Sequence, residues 1–105
     1  MDSNRLLLQL EQTRKEINRE IINPEIKTLS LKELEPIVRM VAHARAAYVE
    51  ELFRLAGETE GKHAPEDVSH LQGLRERYEQ LVTAANALET MIKRGYVDVS
   101  GKLGN

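Results

Sequence analysis

The chain is 105 residues long, 41% hydrophobic and 30% charged, which suits a single folded domain and is too apolar for a disordered one. Its net charge is -2 with acids and bases interleaved, and it has no cysteine. That excludes a disulfide frame and a thiolate metal site, and it argues against nucleic acid as a partner.

Residues 3–22 form the first periodic segment, with Leu7, Leu10, Ile17 and Ile21 on one face at three- and four-residue steps. Asp2 or Ser3 can accept from the free amides at its start, and Asn23-Pro24 is expected to stop it, because the residue before proline disfavours the helical region. The apolar run Leu6–Leu8 is too short for a secretory segment, and no stretch reaches the roughly 20 apolar residues of a membrane span. The chain is accordingly expected to be cytoplasmic, with no membrane partner.

Ser30 and Glu33 have the spacing of a capping box, so a second helix is expected to start at Leu31. Pro36 lies past the first turn and should bend or restart it. Across the bend, Leu31, Leu34, Val38, Val41, Tyr48, Leu52 and Leu55 keep heptad steps to Ala56, and Gly57 is a natural stop. Residues 57–67 hold two glycines, one proline and four acids against one lysine, which reads as an exposed loop. Pro65 suits the first position of a third helix running to Arg94. That helix carries the cleanest repeat, Leu71, Leu74, Tyr78, Leu81, Ala85, Leu88 and Ile92, and Gly95 suits the turn that follows. At about 30 residues it would be about 45 Å long. The expected fold is all-α: an elongated up-down three-helix bundle over residues 1–95 that dimerises, followed by a loosely ordered tail, 96–105.

Two arginines interrupt the apolar seams, Arg14 between Leu10 and Ile17 and Arg45 between Val41 and Tyr48. A buried guanidinium must be paired, so these two either converge on an anionic ligand or pair with an acid such as Glu51 or Glu89. Asp67-x-x-His70, with His63 nearby, is one imperfect copy of the Glu-x-x-His motif that di-iron bundles need twice; no metal or other cofactor is expected. No nucleophile motif or glycine-rich phosphate loop occurs. Ala42, Ala44, Ala46 and Ala47 would let another helix approach closely, either within the chain or from a second one.

In length, helix count and inward arginines, the chain resembles the small all-helical chorismate mutases. That resemblance implies an anionic substrate held by Arg14 and Arg45. It ends at the second helix, where residues 30–37 lack that family's start and its further cationic and acidic ligands. The favoured expectation is therefore a non-catalytic protein acting through protein contacts, most simply a homodimer, with Leu74, Tyr78, Leu81, Ala85 and Leu88 as its interface.

Overall fold

The computed structural model describes residues 2–26 and 28–100. Among these the chain is all-α, with three helices, one 3-10 turn and no strand beyond an isolated parallel bridge between Leu29 and Val99. Helix α1 spans Ser3–Ile22, and the Asp2 carboxylate caps it by accepting from the Arg5 amide at 3.0 Å. Asn23 does not leave the helical region, as its place before proline predicts. It stays at φ -57°, ψ -40°, and the chain tightens into a 3-10 turn, Asn23–Glu25, with Pro24 near its start, where no amide is needed.

Helix α2 spans Leu31–Thr59 and runs unbroken through Pro36. At its start Glu33 accepts from the Ser30 amide at 2.8 Å and gives its own amide to the Ser30 carbonyl at 3.1 Å. The expected restart at Pro36 does not occur. Nor does Gly57 end the helix. Glu60 and Gly61 take the left-handed conformation, at φ 54° and 72°, and the Gly61 amide reaches back to the Ala56 carbonyl at 3.0 Å, the bond pattern of a Schellman close. Helix α3 spans Ser69–Lys93, four residues later than Pro65 suggests. Asp67 decides its start, accepting from the Ser69 amide at 3.0 Å. Its end falls as the sequence implies: Gly95 lies at φ 73° and the Tyr96 amide bonds the Met91 carbonyl at 2.9 Å.

The helices are shared between two compact units, Met1–Leu34 with Ala87–Asn105, and Glu35–Asn86. In the first, the segment after α3 is clamped to the chain around α1. Leu29 gives its amide to Asp98 and takes that of Ser100 at 2.9 and 2.7 Å. Arg19 donates to the Gly95 carbonyl at 3.0 Å and to the Asp98 carboxylate, while Asn23 and Asp98 bond each other twice, at 2.9 and 3.2 Å. Leu29, Tyr96 and Val97 are buried there. Of the segment expected to be loose, residues 96–100 are thus packed, and 101–105 lie outside the described residues. The face of α1 expected to be covered is not: Leu7, Leu10, Ile17 and Ile21 are between 47% and 65% exposed.

In the second unit, α2 and α3 form an antiparallel hairpin. Tyr48 faces Tyr78, with ring centroids 6.1 Å apart, while Glu51, further along α2, approaches His70, earlier on α3. The covered side of α2 carries Ile37, Val41, Ala44, Tyr48, Glu51 and Leu55. Val38 and Leu52, expected on that side, are 66% and 55% exposed. Val41, Tyr48 and Leu55 keep their expected place, while Ile37, Ala44 and Glu51 stand where Val38, Arg45 and Leu52 were expected, a rotation of the covered line by about 40°. The α3 seam holds: Leu71, Leu74, Tyr78, Leu81, Ala85, Leu88 and Ile92 are all half-covered.

Candidate functional site

Arg14 and Arg45 fall in different units, and each has a neighbour of its own. Arg14 is half-covered and paired with the Glu11 carboxylate one turn earlier. Arg45 is exposed; its Nε donates to the Tyr78 hydroxyl at 3.1 Å and its guanidinium carbon stands 5.4 Å from the centre of the same ring. A cation over an aromatic face with a hydroxyl acceptor is a held guanidinium. Its head is drawn toward α3, leaving the aliphatic stem along α2.

The buried charge of the hairpin is Glu51, one of the acids expected beside the seam, but its partner is neither Arg14 nor Arg45. Glu51 is 7% exposed and meets Arg54 through a two-pronged contact, Nε to Oε1 at 2.8 Å and Nη2 to Oε2 at 2.6 Å. Such fork geometry is the strong form of an ion pair. Hydrogen bonding from Arg54 holds the Glu51 carboxyl below the usual carboxylate range, against the opposing effect of desolvation, and Arg54 is shifted up in turn. In the sequence a Glu three residues before an Arg looks like a surface pair. The one available signal is that Glu51 steps in register with Ala44, Tyr48 and Leu55.

The histidines make no cluster. His70 is exposed, with Nε2 4.0 Å from Glu51 Oε1, His43 is exposed, and His63 lines the groove described next. Among the described residues no group of three metal-ligating side chains comes together. Where the hairpin turns, Leu52, Leu55, Ala56, His63, Val68 and Leu71 line a mainly apolar groove of about 300 Å³. In the other unit Lys15 and Arg94 border a cleft beside Tyr96 at the α3 C-terminus, where cations complement the negative helix end.

The clearest surface feature is a second apolar stripe on α2. Val38, Ala42, Val49, Leu52 and Ala56, with the Arg45 stem among them, are all exposed and follow four- and three-residue steps. Phe53, 72% exposed, flanks it. The alanine run divides between the two sides: Ala44 and Ala47 are half-covered, while Ala42 and Ala46 are exposed. Among the described residues no helix is long and apolar enough to cross a membrane. Compared with models of protein families, with curated proteins and with solved structures, the chain matches none.

Proposed function

We propose that the chain is a non-catalytic helical protein that works through protein contacts, beginning with a second copy of itself in a two-fold dimer. The observation that supports this is how little apolar surface the hairpin covers by itself. Within residues 35–86, Leu55 is buried, whereas Val38, Met40, Val49, Leu52, Phe53 and Val68 are between 41% and 72% exposed. Full burial of one such side chain contributes about 1.5–3 kcal/mol. Six of them at roughly half exposure therefore leave about 5–9 kcal/mol unrealised, comparable with the whole stability of an ordinary domain. Exposed apolar surface on this scale marks a contact, and closed two-fold pairs are its commonest soluble form.

In this reading the elongated up-down bundle is completed between chains. The α2 stripe supplies the uncovered side, next to the α3 residues Leu74, Tyr78, Leu81, Ala85 and Leu88, which are themselves only half-covered. An anion held between Arg14 and Arg45 draws less support, because Glu11 neutralises the first and Tyr78 holds the second. Light scattering on a sizing column tests the proposal: the expected particle has twice the 12.0 kDa chain mass at micromolar concentration. Leu81→Lys should shift it toward the single chain while helicity persists. A wild-type particle of single-chain mass contradicts the reading.

A further inference from the structure

Resting on that self-association, we infer that the dimer contact is the outer stripe of α2 packed antiparallel against the same stripe of a second copy. Three features of the stripe favour this occupant. The first is direction. At about 100° per residue, the outer stripe lies roughly a quarter-turn round α2 from the side that faces α3. A bundle helix has two neighbours set at about that separation, and α3 supplies one of them.

The second feature is size. Pairing two copies head to tail about a two-fold axis level with Ala47 sets Val38 against Ala56, Ala42 against Leu52, and the Arg45 stem against Val49. Large side chains then meet small ones, so each layer interdigitates rather than colliding. Parallel pairing would instead stack Leu52 on Leu52 and Arg45 on Arg45. The third is charge. The antiparallel register brings Arg39 across from Phe53 of the second copy, a cation over an aromatic face at each end. At the centre the two Ala46 methyls permit close approach, and Tyr78 draws the Arg45 head aside.

Because the chain contains no cysteine, single thiols can map the contact. In the full chain, Ala46→Cys treated with a short bis-maleimide should give a covalent dimer in high yield. Gly57→Cys should not link, since ten residues from the axis place the two thiols about 30 Å apart in an antiparallel pair. Ala42→Cys mixed with Leu52→Cys should link, while neither alone does; this second arm holds if the position-46 variant loses helicity. Equal linking at positions 46 and 57 would show a parallel pair and overturn the inference. A wild-type dimer with no link at 46 and none in the 42/52 mixture would place the contact elsewhere and overturn the inference while leaving self-association standing. Single-chain mass throughout, as when α1 of the same chain covers the stripe, would overturn both.

Discussion

Asp98 is the residue on which most polar contacts of the first unit converge. Its carboxylate takes Arg19 and Asn23, its carbonyl takes the Leu29 amide, and its own amide is given to Asn23. Hydrogen bonding from Arg19, then from Asn23, holds its carboxyl below the ordinary value. A carboxyl with a lowered folded value adds stability above its unfolded value, near 3.9, and loses it as pH falls through the folded one. Asp98→Asn should therefore lower the urea midpoint at neutral pH, and the gap from the parent should close below about pH 4. Midpoints measured from pH 7 to 2 check this; a gap that stays constant to pH 2 would show that the charge at Asp98 contributes nothing. Nothing local in the sequence announces this cluster. Asp98 lies in a short Tyr-Val-Asp-Val alternation ahead of two glycines, and its partners are 75 and 79 residues away. Glu51, a candidate partner for the seam arginines in the sequence, pairs instead with Arg54, so near that the pair resembles solvated helix surface.

Helix boundaries are where local chemistry speaks most plainly, and α1 and the end of α3 follow it: Asp2 caps one and Gly95 turns the other. The sequence marks Gly57 as the end of α2, but Gly61 with Glu60 takes the left-handed turn, so Gly57 remains inside the helix. An alanine at each distinguishes them. Gly57→Ala meets no atom within 4 Å and should stabilise by about 0.5–1 kcal/mol by favouring the helix. Gly61→Ala, forced to positive φ, should destabilise by about 1–2 kcal/mol. Urea denaturation decides between the two positions, and opposite signs would place the helix end at Gly57. The start of α3 differs from the one Pro65 suggests because proline only permits a helix start, whereas Asp67 accepts a hydrogen bond from the Ser69 amide. The facing of α2 was illegible for a different reason. It carries two apolar stripes, Ile37–Val41–Tyr48–Leu55 and Val38–Ala42–Val49–Leu52, and periodicity alone merges them into one frame. Only the neighbour on one side separates them, and the stripe left over is the candidate contact.

For the molecule, the all-α class was legible from periodicity, and so was the need for contacts between helices. How little each unit buries was not. The described residues contain no large side chain below 2% exposure, and the buried apolar set is Leu29, Leu55, Tyr96 and Val97. Ordering a helical chain costs about 1–2 kcal/mol per residue in backbone entropy, and so sparse a core offsets little of it. Association should accordingly supply part of the stability of the folded chain. Binding that is selective for the folded chain raises its melting temperature with concentration, so thermal unfolding followed by circular dichroism across a hundredfold range of protein concentration is the most direct test. The melting temperature should rise by several degrees from the dilute to the concentrated end, with helicity lost in a single transition. A melting temperature that is the same at both ends would mean that the single chain carries its own stability, and it would contradict the account.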